Sequence, residues 1–195
     1  MSRQKLKVVA FNGSPRKGGN TSLAIHTVFK ELKKEGIETE EIWLYDHEIN
    51  GCNACYVCME TKDCKCAQDD DFNVLFSKML VADGVIIGSP VYVAGVTGPT
   101  KCFIDRAGFV NRYNDLPAKR KIGAGVVVFT RAGALPTLDQ INNFILGTEM
   151  IVTGSSYWCL ARGSKRGAIQ EDEMGMNTLR RLGENMAWLL KKVNS

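Results

Sequence analysis

The 195-residue sequence predicts an α/β protein built on an open, doubly wound parallel sheet. Three observations lead there. Short apolar runs alternate with segments whose apolar residues recur at helical spacing, the order of strands joined through helices. A glycine-rich polar string directly follows the first apolar run, and a second Gly/Pro-containing string follows the third. In a five-stranded sheet ordered 2-1-3-4-5 the winding reverses between strands 1 and 3, and ligands sit at that switch point. The two strings stand where binding loops belong.

The elements follow in order. The first strand covers residues 6–12 and ends in Gly13-Ser14-Pro15. A helix over 21–35 places Ile25, Val28, Phe29 and Leu32 on one face, and Gly36 is positioned to end it. The second strand covers 39–45. Residues 46–71 break the pattern: rich in Cys, Asp and Asn and without a period, they form an inserted loop longer than a usual strand-to-helix link, which points to function. A helix over 72–82 carries Phe72, Leu75, Phe76 and Met79 at helical spacing. The third strand is 84–88. The next helix begins near Pro99, a residue suited to a first helical turn. The fourth strand is 123–129, a helix spans 138–146, and the fifth strand is 151–158. The last helix holds Leu179, Leu182, Met186, Leu189, Leu190 and Val193 on one side. No repeat or internal boundary interrupts the chain, so a single domain over 1–195 is expected. A chain of this length buries roughly 70% of its unfolded surface and needs neither disulfide nor metal merely to fold.

Composition is that of a globular protein, 45% hydrophobic and 24% charged. The net charge of +4 comes from 25 basic and 21 acidic residues, and the basic ones are scattered along the chain. Nucleic-acid binders carry a basic stripe or a known module, and neither is present. The apolar run 8–11 is too short for a signal-peptide core. No stretch approaches the roughly 20 apolar residues of a membrane span. A cytoplasmic protein with no membrane partner is expected.

Residues 13–22, GSPRKGGNTS, lie between a strand and a helix. Helix N-termini present unpartnered N–H groups and a partial positive charge to anions. Ser14, Asn20, Thr21 and Ser22 add short side-chain donors, and Arg16 adds a charged one. The loop matches neither G-x-G-x-x-G nor G-x-x-x-x-G-K-[ST], which argues against a dinucleotide site and a nucleoside-triphosphatase loop. A polar turn with Asn20 or Thr21 as helix cap is the plainer reading. In the second string, 88–106, Pro90, Gly95 and Gly98 let backbone bend close to a flat ligand.

Seven cysteines occur, five of them within 52–66. In a reducing compartment such crowding indicates metal or redox chemistry rather than disulfides. Cys52, Cys55, Cys58 and Cys64 form C-x2-C-x2-C-x5-C, with Cys66 an alternative fourth ligand to Cys64. Short links let thiolates converge on an iron–sulfur cluster. A four-cysteine zinc site, a Cys55/Cys58 dithiol and a loop that binds no metal are the rival readings. Cys102 and Cys159, in a helix and a strand, read as buried thiols. His26 reads as a helix-surface residue and His47 as a fallback ligand.

The string GSPRKGGNTS resembles the FMN-phosphate loop of the NADPH-dependent FMN reductase family, a branch of the flavodoxin-like fold. The resemblance implies that Ser14, Arg16, Asn20, Thr21 and Ser22 hold the flavin phosphate. It also implies that Pro90, Val91, Tyr92 and Gly95 lie against the isoalloxazine, with Thr130, Arg131 and Gly133 beside its pyrimidine side. There backbone N–H groups would stabilise charge on the reduced ring. Iron-sulfur flavoproteins often carry a more glycine-rich loop at that last position. Lys101, Asp105 and Arg106 match a family stretch too, with a salt-bridged helix face or subunit contact as the plainer role. The cysteine spacing and Asp69-Asp70-Asp71 are similar to those of archaeal and anaerobic bacterial iron-sulfur flavoproteins, which hold a 4Fe–4S cluster.

The function this implies is an FMN-dependent oxidoreductase. A donor such as reduced ferredoxin passes electrons through the cluster to FMN, and thence to a small acceptor (a quinone, an oxygen species or a flavin). An NAD(P)H-dependent FMN or quinone reductase without a cluster is the alternative. A non-enzymatic carrier or a metal- or redox-sensing module is the third reading; flavodoxins are usually acidic, whereas this chain is basic. The resemblance implies a homodimer or homotetramer.

Overall fold

A computed structural model describes residues 5–194; residues 1–4 and 195, the ends of the expected domain, lie outside it. Strands β1 (Lys7–Asn12), β2 (Glu38–Trp43), β3 (Gly84–Pro90), β4 (Ile122–Phe129) and β5 (Ile151–Val152) form a parallel sheet in the order β2-β1-β3-β4-β5. The sequence-predicted order and the doubly wound architecture are what the structure shows. Helices α1 (Asn20–Lys34) and α6 (Glu173–Val193) cover one face. Helices α3 (Phe72–Val81), α4 (Gly98–Tyr113) and α5 (Ala134–Gly147) cover the other.

Burial on both faces explains why the central strands read as continuous apolar runs rather than alternating ones. Val8, Ala10, Ile86, Ala124 and Val126 pack toward α1 and α6. Their neighbours Val9, Phe11, Val85, Ile87 and Val127 pack toward α3, α4 and α5. Strand β2 is one edge of the sheet and carries charge accordingly. Its Glu40 pairs with Lys7 and Lys78, each at 2.6 Å.

Three expectations are corrected. The expected fifth strand, 151–158, is strand only over its first two residues, and a sixth strand follows beyond its end. Strand β5 pairs with the start of β4 (Ile122 opposite Ile151), and β6 (Leu160–Arg162) pairs with its end (Val127 opposite Leu160). Gly154-Ser155-Ser156, good turn formers, interrupt the run. The departing loop is tied to α6: the Ser155 hydroxyl donates to Thr178 O at 2.6 Å, and Asn185 Nδ2 donates to Gly154 O at 3.0 Å. Second, the insertion 46–71 is not wholly irregular. A 3-10 turn (Leu44–Asp46) leads into it, and it contains a short helix α2 (Val57–Thr61) too brief to show a period. Third, Cys159 is buried but precedes β6 in a bend, and Cys102 in α4 is only half-buried.

Candidate functional site

The C-terminal ends of β1, β3, β4 and β6 open onto a cleft of about 430 Å³. That volume suits a small-molecule or cofactor site. Ser14, Arg16, Asn20, Thr21, Pro90, Val91, Tyr92 and Thr130 line it, with Gly163, Ser164 and Arg166.

The loop after β1 is held from beneath. Asn12, fully buried, donates from Nδ2 to Glu41 Oε1 at 2.7 Å and accepts the Ser14 N–H at 2.8 Å. The Ser14 hydroxyl oxygen accepts the Arg16 N–H at 3.2 Å. Gly13 lies under the head of α4, where the Thr97 hydroxyl donates to its carbonyl at 2.7 Å; a Cβ at Gly13 would fall 1.8 Å from Thr100 Oγ1. Any side chain there would push the loop off α4.

The first amide drawn into α1 is Leu23, bonded to Gly19 O. Gly19 is the N-cap and no side chain caps the helix, so neither Asn20 nor Thr21 plays that part. The amides of the first turn therefore have no helical acceptor, and the helix dipole points its positive end at the cleft. With Arg16 and Arg166 on the walls, this end of the cleft fits a phosphate.

Two of the expected phosphate residues are committed elsewhere. The Ser22 hydroxyl turns away and donates to Glu41 Oε2 at 3.1 Å, where His26 Nε2 also lies at 2.8 Å. Asn20 donates from Nδ2 to Lys165 O (2.8 Å) and Gly163 O (3.3 Å), and its Oδ1 accepts the Gly167 N–H (2.7 Å). These three bonds tie its side chain to the loop after β6. Residues 163–167 form a wall that the sequence reading missed. Arg166 fastens it further, donating to Lys17 O at 2.8 Å and Gly18 O at 3.2 Å. The string Gly163-Ser164-Lys165-Arg166-Gly167 at the end of a strand was the available signal.

At the other end, Tyr92 and Gly95 exchange backbone bonds at 2.9 and 3.0 Å across Val93 and Ala94. Both of those residues are left-handed, with φ of 47° and 55°. That is the backbone of a tight two-residue hairpin, unusual for a β-branched residue. Gly95 faces Gln140 rather than the cleft. Gly133, at φ 83°, supports the hairpin from behind: a Cβ there would lie 2.9 Å from Ala94 Cα. Of the three residues expected in the loop directly after β4, Thr130 lines the cleft and Arg131 and Gly133 do not.

The cysteines gather at a second place. Cys52, Cys55, Cys58 and Cys66 line one small cavity of about 20 Å³ together with Tyr56, Arg106, Phe109 and Val110. Cys64 is not among them. Its backbone is left-handed (φ 60°), and its N–H donates to Asn114 Oδ1 at 2.8 Å. Cys66 is held by a reciprocal clasp with Asn73: its N–H donates to Oδ1 at 2.8 Å, and Asn73 Nδ2 donates to Cys66 O at 2.9 Å. The fourth thiol at this cavity is Cys66, not the expected Cys64. Burial pushes the Cys58 thiol pKa up, and its neighbours Cys66, Cys55 and Cys52 add to the rise. Among the described residues, no three His, Cys, Asp or Glu side chains close on a single ion position. His47 pairs with Asp71 at 3.3 Å and does not line the cavity.

The acidic triplet closes the ends of the cysteine loop. Asp70 accepts the Asn50 N–H (2.9 Å), the Phe72 N–H (3.1 Å) and Arg106 Nη1 (2.5 Å), and Asp71 accepts the Glu48 N–H (3.0 Å). Burial alone would raise the Asp70 pKa, but these donors, led by Arg106, hold it below the usual carboxylate range. Lys101 and Asp105 form an i,i+4 pair at 2.5 Å on the exposed face of α4, whereas Arg106 is buried beneath it.

Comparison with known proteins places this geometry. The family described as NADPH-dependent FMN reductase matches residues 6–165. An iron-sulfur flavoprotein of Methanocaldococcus jannaschii is 37% identical over 195 residues, covering 96% of this chain and 99% of its own. A structure of RosB with a bound 8-demethyl-8-formylriboflavin-5'-phosphate intermediate superposes with a TM-score of 0.77 at 22% identity, covering 96% of this chain and 80% of RosB. A flavodoxin from the domain Archaea superposes at 0.62 with 15% identity, covering 95% of this chain and 99% of its own. The chain therefore belongs to the NADPH-dependent FMN reductase family and is an FMN-dependent oxidoreductase of flavodoxin-like fold.

Proposed function

We propose that this chain is an iron-sulfur flavoprotein. On this reading it is a single domain over 1–195 that binds FMN in the cleft and a 4Fe–4S cluster at Cys52, Cys55, Cys58 and Cys66. The observation that carries the reading is the gathering of four thiols around one cavity within a loop that Asp70 and Asp71 tie shut. The Methanocaldococcus relative with its iron-sulfur name supports it. When bound, the cofactors supply the one- and two-electron chemistry, and the protein supplies position and electrostatics.

The first-turn amides of α1, with Thr21, Ser14 and Arg16, hold the flavin phosphate. The amide of Ser22 contributes, while its hydroxyl stays with Glu41. Asn20 acts indirectly, by fixing the 163–167 wall. Pro90, Val91 and Tyr92 lie against the ring, and Gly95 closes the turn that presents them. Thr130 and the adjacent backbone donate to the pyrimidine side, where negative charge develops on reduction. Arg131 and Gly133 serve this end from outside the cleft. Helix α4 joins the two centres: from its start at Gly98 to Arg106 is about 12 Å of helix rise.

Reduced ferredoxin is the donor on this reading, and a quinone, an oxygen species or a second flavin is the acceptor. The half-exposed Tyr92 at the mouth of the cleft supports a homodimer or homotetramer in which a second copy covers the ring. Free thiols of this kind belong in a reducing cytoplasm. Among the described residues no helix is long and apolar enough to cross a membrane. A second reading, an NAD(P)H-dependent reductase without a cluster, is favoured by the description of the family that matches residues 6–165.

Anaerobic purification followed by assay of iron, acid-labile sulfide, zinc and FMN separates the two. About four irons and four sulfides per chain support the cluster. FMN without metal, reduced rapidly by NADPH, leaves the second reading. Zinc without flavin overturns both.

A further inference from the structure

Arg106 is the largest fully buried side chain in the described structure, 1% exposed, in the middle of α4. A buried guanidinium is costly unless all its donors are used. Only one nitrogen is visibly used: Nη1 donates to Asp70 Oδ2 (2.5 Å) and Asn50 O (3.2 Å). The planar face rests 4.3 Å above the Phe72 ring. Nε and Nη2 are buried and bond to nothing. The same side chain lines the cavity of Cys52, Cys55, Cys58 and Cys66, and Cys66 stands beside the guanidinium without closing a bond to either free nitrogen.

The ion pair alone does not call for arginine. A lysine supplies one cationic donor to a carboxylate, whereas arginine supplies a rigid fork. Asp70 leaves part of the fork unused, on a side chain that lines the cavity of the thiols. Resting on the cluster reading above, we propose that Arg106 is the residue that sets the reduction potential of the cysteine site, its Nε–H and Nη2–H donating to the sulfur atoms gathered there. Hydrogen bonds to cluster sulfurs are a main lever on potential. Each electron taken from a donor adds one negative charge to the sulfur-rich centre, with no bond made or broken. Donors aimed at those sulfurs strengthen as the charge grows and so favour the reduced form. Asp70 then has two tasks: it orients the fork and it carries the counter-charge that keeps the guanidinium buried.

Two variants of the intact, reconstituted protein test this. Arg106→Lys keeps a cation for Asp70 and removes the fork. Asp70→Asn keeps the fork and removes a nearby negative charge. Iron, sulfide and FMN are counted, folding is checked by circular dichroism, and the cluster midpoint is read by electron paramagnetic resonance during titration with dithionite, a one-electron reductant. Arg106→Lys is expected to keep its iron and lose at least about tenfold in the reduction equilibrium, which is about 59 mV downward for a one-electron couple. Asp70→Asn is expected to move the midpoint upward. An unchanged midpoint in folded, iron-replete Arg106→Lys overturns the proposal and assigns the free N–H groups to a buried water. Iron loss from folded Arg106→Lys also overturns it, by making the arginine an assembly residue. Should Arg106→Lys not fold, Asp70→Asn decides: a midpoint that stays or falls overturns the proposal, and a rise supports it. Wild-type protein that takes up no iron sinks the cluster reading itself, a result distinct from any of these.

Discussion

At the residue scale, side-chain type and side-chain task separate clearly. Ser22 and Asn20 belong to the string that resembles a phosphate loop, yet Ser22 bonds Glu41 and Asn20 bonds three backbone groups of the 163–167 loop. We expect Asn20→Ala to cost about 2 kcal/mol of stability through those bonds and to weaken FMN binding by loosening the wall. Ser22→Ala should leave FMN affinity almost unchanged. Flavin fluorescence titration of both variants checks the pair, and equal loss of affinity in the two contradicts the assignment. The cysteines separate in the same way. Cys66→Ser is expected to abolish iron uptake and Cys64→Ser to preserve it, read as iron per chain after anaerobic reconstitution. Cys159 needs no ligand role: burial pushes its thiol up to about 12, so it stays protonated and inert at neutral pH.

At the scale of elements, the cysteine insertion is fastened at its two ends. Asp70 and Asp71, at the start of α3, take the amides of Asn50 and Glu48 at the far end of the loop. Asp70 has a folded-state pKa below its unfolded value despite its burial. Its contribution is therefore fully present above the unfolded value, about pH 4, and is lost as pH falls through the lower folded value. Urea midpoints measured downward from about pH 5 should fall in the wild type, and the fall should be shallower in Asp70→Asn. Parallel curves would show that Asp70 does not carry this dependence. The short helix α2 was illegible in sequence because so brief a helix shows no period, and the 163–167 wall, signalled only by its glycine-bracketed polar string, takes its shape from Asn20, more than 140 positions away in the chain.

At the scale of the whole molecule, the cleft draws its walls from the ends of four strands, so ligand binding should stabilise the fold as one body. FMN at about a hundredfold excess over its dissociation constant should add about 2.7 kcal/mol, and removing it should lower the calorimetric melting temperature by the corresponding amount. A melting temperature indifferent to FMN argues against binding at the switch point. The strand order, the two loops at the reversal of winding and the crowding of cysteines all followed from sequence, because hydrophobic period, glycine-rich turns and short cysteine links are local properties of the chain. Tertiary structure decided the rest: that the fifth strand stops at Val152 and a sixth follows at Leu160, that Asn20 clasps the 163–167 loop, and that Cys66 rather than Cys64 completes the thiol cavity beside a buried Arg106. Each of these depends on which distant group satisfies a buried donor or acceptor, and that pairing exists only once the chain has folded.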